Sequence, residues 1–481
     1  MTQAALRERL YINGEWVSSA ASFEVRNPAT AEILAEVADG GAVEAQAAVE
    51  AAANAFNAWS KKRAEDRAEL LSQAARLMKE RADQLARVLT LENGKPLAEA
   101  KGEVLVAARF LQWNAEEARR VYGRTVPSDN FRRVLVLRQA VGVVAAITPW
   151  NFPSSMITRK LGPALAAGCT AVLKPAEQTP LSAVEIFKIF DEVGFPPGVV
   201  NLVTGLNPAA IADEWLKHPA VRKITFTGST EVGKLLMSKA SQSVKRISME
   251  LGGHAPFLVF DDADLDKAAE GAVLSKFRNA GQTCICTNRL YVQRSIIENF
   301  AAKVADLTAH LRLGNGLEQG VQVGPLIDEA ALHKVEAQMS DALGKGATVL
   351  AGGKRATGPG FDQGYFYEPT VLAQARPDML VTQEETFGPL LPIYPFDTEE
   401  EAIAAANATD YGLAAYFYSR DVGRIFRVAE GLDFGIVGAN DPVPVGPEIP
   451  FGGFKQSGIG RENGSEGIEA YLETKALSIG M

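Results

Sequence analysis

The sequence predicts an α/β fold built on two open sheets, and three observations carry that expectation. Short apolar runs alternate with helix-length stretches from about residue 132 to 250, the pattern of parallel strands joined by crossover helices. A second alternation of the same kind begins at residues 257–260 and continues to about 440. Segments rich in glycine, proline and polar residues directly follow the strands of the first alternation, which is where open α/β sheets bind their ligands.

Taken in order, the chain opens with a hairpin, because Leu10-Tyr11-Ile12 and Glu15-Trp16-Val17 flank Asn13-Gly14, a pair that supplies the positive φ of a tight turn. From residue 41 to about 120 the Ala-, Leu-, Glu- and Arg-rich chain has helical spacing interrupted near Gly94 and Pro96, so several long helices are expected. Residues 132–139 then read as an extended, two-faced strand. Strands are expected at 143–147, 171–173, 199–203, 223–226 and 244–249, with helices near 155–167, 180–192, 207–217 and 230–240. The second alternation places helices near 264–278, 295–311, 328–344, 398–408 and 421–430. The tail from Gly453 starts glycine-rich and ends in a strand at 475–479.

Composition bounds what such a fold does. A length of 481 residues allows roughly three domains, and 47% hydrophobic with 22% charged residues is the mix of a globular chain with a large core. No apolar run reaches the roughly 20 residues of a membrane span. The N-terminus carries Arg7, Glu8 and Arg9 and lacks the apolar stretch of a signal peptide, so a cytoplasmic protein without a membrane partner is expected. A formal charge of −9, from 49 basic and 58 acidic residues, argues against nucleic acid as a partner. The three cysteines, Cys169, Cys284 and Cys286, cannot form a disulfide framework, and no Cys/His cluster has metal spacing, so no metal is expected.

Five segments carry the candidate chemistry. Gly228-Ser-Thr-Glu-Val-Gly233 turns from a strand into a helix and exposes backbone N–H groups to a phosphate. It approaches GxxxxGK, but Leu235 stands where a P-loop needs Ser or Thr, which argues against an ATPase. Lys174-Pro175-Ala176-Glu177 places an acid and a lysine where a ribose is held, or else starts a helix with charged residues. Pro149-Trp150-Asn151-Phe152-Pro153 puts an amide on a rigid loop, fit for an oxyanion donor or for a local cap. Glu250-Leu251-Gly252-Gly253 offers a general base or a capping carboxylate. Residues 277–286 hold the only cysteine pair, in which Cys284 reads as a nucleophilic thiol on a turn or as packing, while Cys169 lies in an apolar run and reads as core.

Together with Glu384-Glu385-Thr386-Phe387-Gly388-Pro389 and Pro450-Phe451-Gly452-Gly453, these segments closely resemble the aldehyde dehydrogenase superfamily in order and spacing, over essentially the whole chain. The resemblance implies a Rossmann-like cofactor domain over 1–121 and 141–252, a catalytic domain over 253–453, and an oligomerisation arm from 122–140 and 454–481 that builds a homodimer or homotetramer. It implies Cys284 as nucleophile, Glu250 as general base and Asn151 as oxyanion donor, with Lys160 and Glu462 assisting proton transfer. It implies a nicotinamide dinucleotide held by Ile147, Thr148, Pro149, Trp150, Lys174, Glu177, Gly228, Ser229, Val232, Leu251, Glu385 and Phe387. A carboxylate at Glu177 favours a ribose 2′-hydroxyl and repels a 2′-phosphate, so NAD is expected over NADP.

Within the superfamily the likeness is nearest to succinate-semialdehyde dehydrogenases. Ile157-Thr158-Arg159-Lys160 and Lys276-Phe277-Arg278-Asn279 look like stretches in which two arginines hold the distal carboxylate of a small aldehyde substrate, a task for the bidentate fork of arginine. Arg159, Arg278, Thr283 and Val445 are the substrate contacts this implies. The proline-rich loop 440–449 departs from that subfamily, with Val445 about where those enzymes carry a serine. It looks more like the loop of enzymes acting on α-ketoglutaric semialdehyde, so that aldehyde and glutaric semialdehyde stay open. Cys286 matches a position that forms a reversible disulfide with the nucleophile in some relatives; simple packing is the other reading. A coenzyme A-acylating relative generally lacks the carboxylate seen here at Glu250. A crystallin-like relative without turnover is expected to have lost residues that this chain keeps.

Overall fold

The computed structural model describes residues 6–481; the reading of the N-terminus as free of a signal stretch falls in part on residues 1–5, outside the described residues. The expected hairpin pairs Leu10–Ile12 with Glu15–Val17, and Asn13 and Gly14 both take positive φ, 55° and 80°. Four helices follow at Ala42–Ser60, Ala64–Glu80, Ala82–Asn93 and Leu97–Glu117. The break near Gly94 and Pro96 is therefore a real boundary, made by Gly94 at φ 91° and the proline that starts the next helix.

The first sheet has eight strands in the order Gly458–Ile459, Arg246–Glu250, Val221–Thr227, Val143–Ile147, Thr170–Lys174, Val200–Leu202, Leu10–Ile12 and Glu15–Val17. The five from Arg246–Glu250 to Val200–Leu202 run parallel, and both flanks are antiparallel. The strand Val143–Ile147 is apolar throughout and lies between neighbours on both sides, as a strand covered on both faces must be. Helices Pro153–Ala167, Leu181–Val193, Pro208–Lys217 and Thr230–Ala240 are the crossovers. The chain leaves Val143–Ile147 toward Thr170–Lys174 and returns on the opposite side at Val221–Thr227. The strand order reverses there, and the crevice between those two carboxyl ends is the switch point where such a sheet takes a ligand.

The second sheet has seven strands, in the order Thr348–Ala351, Thr370–Ala373, Leu390–Phe396, Thr287–Gln293, Ala255–Val259, Ala414–Tyr418 and Ile436–Ala439. All pairs but the first are parallel. A separate three-stranded ribbon joins Leu472–Gly480, Arg132–Ala140 and Arg124–Val126. Of the tail placed with that arm by sequence, only Leu472–Gly480 runs in the ribbon. Gly458–Ile459 closes the edge of the first sheet and Phe454–Lys455 pairs with Tyr411–Gly412, because this glycine-rich stretch threads between the two sheets. A small sheet of Leu6–Glu8, Ile33–Asp39 and Ala21–Arg26 has no counterpart in the expected elements. Among the described residues no helix is long and apolar enough to cross a membrane.

Candidate active site

The loop after Val143–Ile147 forms one wall of the switch-point crevice. Thr148 N–H donates to the Lys174 carbonyl at 3.1 Å, extending the strand pairing by one residue before Pro149 bends the chain away. Across the crevice Thr227 leads into Gly228 and Ser229, and the Ser229 hydroxyl accepts from Val232 N–H at 3.3 Å as the N-cap of Thr230–Ala240. Gly228 is needed for close packing, since a Cβ there would meet the Phe226 ring at 2.4 Å. A cavity of about 390 Å³ lies between these walls, lined among others by Pro149, Trp150, Asn151, Ser229, Leu251 and Phe387. Trp150 and Phe387 meet edge to face at 5.4 Å, with Phe387 held at φ 52°. Glu385 also faces the cavity; it accepts from Gly253 N–H at 3.0 Å, and burial pushes its carboxyl up to about 7.

These residues fit a dinucleotide: the N-terminus of Thr230–Ala240 offers backbone N–H groups to a phosphate, and Trp150 and Phe387 line the same cavity. Buried Thr148 and Thr227 hydroxyls lack partners along the same edge. The structure does not place every expected contact on that wall. Ile147, Thr148, Lys174, Glu177 and Val232 do not line the cavity; Lys174 Nζ lies 2.8 Å from Glu177 Oε2, and Val232 is exposed on the first turn of the helix.

Cys284 follows a kinked turn in which Asn279, Ala280 and Gly281 all take positive φ. A second cavity of about 330 Å³ opens on the other side of this turn, lined by Phe152, Met156, Arg159, Arg278, Thr283, Val445 and Phe451 among others. Among the described residues, Cys284 alone lines both cavities. The sulfur of this residue is thus placed where the two cavities adjoin. Asn151 is buried, and its side-chain amide spends one N–H on the Gln282 carbonyl at 3.1 Å, leaving the second free beside the Cys284 turn.

Glu250 ends its strand behind Leu251 and lines neither cavity, yet both its oxygens are buried without partners. Burial, and next the charge of Glu462, hold its carboxyl well above the usual carboxylate range; Lys160, Arg159 and Arg461 pull the other way. Lys160 Nζ bonds Glu462 Oε1 at 2.6 Å and Thr225 Oγ1 at 3.3 Å. Arg159 lies 3.8 Å from the other Glu462 oxygen and stacks 4.2 Å over Phe451, while its Nε keeps no hydrogen-bond partner. The Cys284 thiol is pushed up to about 12 by burial, with Glu385 and Glu250 adding to the rise and Arg159 opposing it. Cys284 therefore rests as a thiol and needs a base or an added positive charge to become a thiolate.

Cys286 points away from both cavities into the core. Its sulfur donates to the Gly281 carbonyl at 3.2 Å and lies 3.8 Å from Lys276 Nζ. Pairing with Cys284 requires that those contacts break first. Cys169 is core, as read from sequence. Sequence reasoning missed most of the side chains that wall the second cavity, among them Glu99, Glu103, Phe152, Met156, Val443 and Phe451, and it missed Lys95 behind the Asn151 loop. Phe152 and Phe451 stand inside motifs quoted for other residues, so their proximity to the site is legible there even though their role is not.

The family model described as "Aldehyde dehydrogenase family" matches residues 16–477. The chain is 54% identical to a 3-sulfolactaldehyde dehydrogenase of Pseudomonas putida, with 99% of this chain and 97% of that protein covered. It is 52% identical to the NADP(+) succinate-semialdehyde dehydrogenase GabD of Escherichia coli (strain K12), with 99% and 98% covered. The crystal structure of a succinate-semialdehyde dehydrogenase from Burkholderia pseudomallei superposes with a TM-score of 0.96 at 50% identity, covering 100% of both chains.

Proposed function

The chain belongs to the aldehyde dehydrogenase family, and from that premise we propose that it oxidises a small aldehyde bearing a distal anionic group, succinate semialdehyde foremost. That it oxidises an aldehyde with NAD(P) follows from the family. The observation that carries the substrate class is the pair of guanidinium groups, Arg159 and Arg278, on the wall of a cavity that ends at Cys284, whose two carboxylates are already bonded, Glu103 to Lys95 and Glu99 to the Asn279 N–H. A buried guanidinium with an unspent N–H is a receptor for a carboxylate or a sulfonate. Val445 adds no hydroxyl to that receptor, so glutaric, α-ketoglutaric and sulfonated aldehydes are the competing substrates.

In this reading Glu250 takes the Cys284 thiol proton and releases it through the Lys160–Glu462 pair, and the sulfur attacks the aldehyde carbon. The free N–H of Asn151 and the Cys284 backbone N–H then hydrogen-bond the oxygen as it gains charge. When bound in the switch-point crevice, the dinucleotide supplies the hydride acceptor. Glu250 takes a proton from the water that cleaves the Cys284 thioester, and the Lys160–Glu462 pair passes that proton on. Glu177 favours NAD by repelling a 2′-phosphate. Lys174, 2.8 Å away, offsets part of that repulsion, and the NADP(+) named for the E. coli relative is the alternative. The free cysteines suit a reducing compartment, the cytoplasm.

One experiment tests the whole reading: steady-state formation of reduced nucleotide, with NAD and with NADP, over a panel of short aldehydes with and without a distal carboxylate or sulfonate. Carboxylated aldehydes and NAD are expected to give the highest kcat/KM, and Cys284→Ala to give none. Arg159→Ala and Arg278→Ala are each expected to raise KM roughly 10- to 100-fold for the carboxylated aldehydes only, the loss of about 1.5–3 kcal/mol per charged hydrogen bond. Equal losses for uncharged aldehydes overturn the carboxylate assignment, and a clear preference for NADP overturns the nucleotide.

A further inference from the structure

The segment from Glu92 to Pro96 breaks a helical run, and its polar side chains turn inward instead of toward solvent: Glu92, Asn93 and Lys95 are each at most 1% exposed. Two of them hold the 149–153 loop, and the third holds the start of a neighbouring helix. Glu92 accepts from Leu181 and Ser182 N–H at 2.7 and 2.8 Å, capping the helix beyond the Lys174–Glu177 segment. Asn93 Nδ2 donates to the Trp150 carbonyl at 3.0 Å. Lys95 Nζ donates to the Asn151 carbonyl at 2.7 Å and to Glu103 Oε2 at 2.6 Å, and stands 3.9 Å from the centre of the Phe152 ring. The three hydrogens of the ammonium are thus accounted for by two oxygens and one aromatic face.

The surroundings fix this arrangement from both sides. Glu103 Oε1 accepts from Ser154 and Ser155 N–H at 2.9 and 3.2 Å, so the same carboxylate that holds Lys95 also caps the helix that follows Asn151. The Asn151 carbonyl takes a second donor, Asn279 Nδ2 at 2.9 Å, from the turn that carries Cys284. Gly94, at φ 91°, packs so closely that a Cβ would meet Pro325 at 2.6 Å. Burial draws Lys95 below the ordinary lysine range, against the pull of Glu103. A buried ammonium is a poor device for stability alone, since a well-packed apolar pair of similar volume serves as well or better.

We propose that Lys95 is a positioning residue for the oxyanion donor: by gripping the Asn151 peptide carbonyl against Glu103 and Phe152, it sets the direction in which the Asn151 amide faces the aldehyde oxygen. The proposal rests on Asn151 being that donor, as in the proposed function. It requires that Lys95 act on the first chemical step and only through Asn151.

The test is a double-mutant cycle read by single-turnover formation of reduced nucleotide from succinate semialdehyde, at saturating dinucleotide. Asn151→Ala is expected to slow that step by about 10²–10³-fold, as loss of an oxyanion donor does. Lys95→Met in the wild-type background is expected to slow it roughly tenfold or more with KM little changed. In the Asn151→Ala background it should change the rate less than about twofold. A loss of the same size in both backgrounds, or no loss in the wild type, overturns the proposal. If Lys95→Met does not fold, Lys95→Arg, which keeps the charge and misplaces it, enters the same cycle: a loss confined to the wild-type background supports the coupling, and an equal loss in both, or none, overturns it. Should Asn151→Ala itself leave the step unchanged, Asn151 is not the oxyanion donor, a result distinct from failure of the coupling.

Discussion

Glu250 holds two unpartnered carboxyl oxygens in a buried pocket beside another carboxylate. Burial first, and the Glu462 charge second, disfavour its ionised form, so a larger share of Glu250 is protonated at neutral pH than of an ordinary glutamate. A base must be deprotonated to act, and so thioester hydrolysis is expected to rise with pH through this raised pKa. Replacing Glu462 by Gln removes the repelling charge and frees Lys160, both of which lower the Glu250 pKa. The rising limb of the hydrolysis rate in Glu462→Gln should therefore move to lower pH, measured as kcat against pH under conditions where hydrolysis limits turnover. A limb that stays in place or moves upward contradicts the electrostatic account. The candidates Asn151 and Glu250 are legible in the sequence because they sit in short motifs at strand ends, where chemistry is expected, and Cys284 because its motif reads as a turn. Lys95 is not legible in that way. It stands between a helix-ending glycine and a proline, and its partner Asn151 lies 56 residues away, with the carbonyl it holds shared by Asn279, a further 128 residues on.

At the scale of one element, helix Leu97–Glu117 forms a wall of the second cavity through Glu99, Gly102, Glu103 and Val106. Gly102 lies in the helix interior, where glycine costs about 0.5–1 kcal/mol relative to alanine. No close packing requires it, since a Cβ there would meet nothing within 4 Å. The absence of a side chain instead keeps the mouth of the cavity wide. Gly102→Ala is expected to raise stability by about 0.5–1 kcal/mol, read as a higher Tm, with kcat/KM nearly unchanged. Gly102→Leu should cost glutaric semialdehyde more of its kcat/KM than succinate semialdehyde, because the longer chain reaches nearer the mouth. An equal loss for both aldehydes removes Gly102 as a determinant of specificity. The helix itself is legible from its spacing, and so are the crossover helices, because apolar periodicity is a local property of the chain. The sheet of Leu6–Glu8, Ile33–Asp39 and Ala21–Arg26 is not, since its three- to seven-residue strands carry too few apolar positions to distinguish a strand from a loop until the neighbours are in place. The threading of the tail between the two sheets is equally hidden, because glycine-rich sequence permits many paths and long-range packing selects one.

For the molecule as a whole, the ribbon of Arg124–Val126, Arg132–Ala140 and Leu472–Gly480 is the part whose own packing is incomplete. Leu135 pairs with Leu477 and Leu137 with Lys475, so Leu135, Leu137, Leu477 and Ile479 lie on one face. Leu477 and Ile479 are 41% and 45% exposed. Arg133 and Lys475 share that face, and a three-stranded sheet with such a partly apolar open face lacks the second layer that normally stabilises it. Its roots are firm: Val141 N–H bonds the Tyr471 carbonyl at 3.1 Å, and Arg246 pairs with Glu473 at 2.5 Å, tying the ribbon to the first sheet. We propose that this partly apolar face packs on a second copy of the chain, which would supply the missing layer by symmetry. Light scattering of the wild type is then expected to give a dimer or a multiple of it. The double variant Leu477→Glu, Ile479→Glu should shift the mass to a smaller species and lower Tm, because a buried glutamate pair without partners is costly on either side of the contact. The sites themselves lie in crevices of one chain, so the smaller species should keep its affinity for the dinucleotide, measured by fluorescence titration. An unchanged mass in the double variant places the contact elsewhere, and a monomeric wild type removes the need for one.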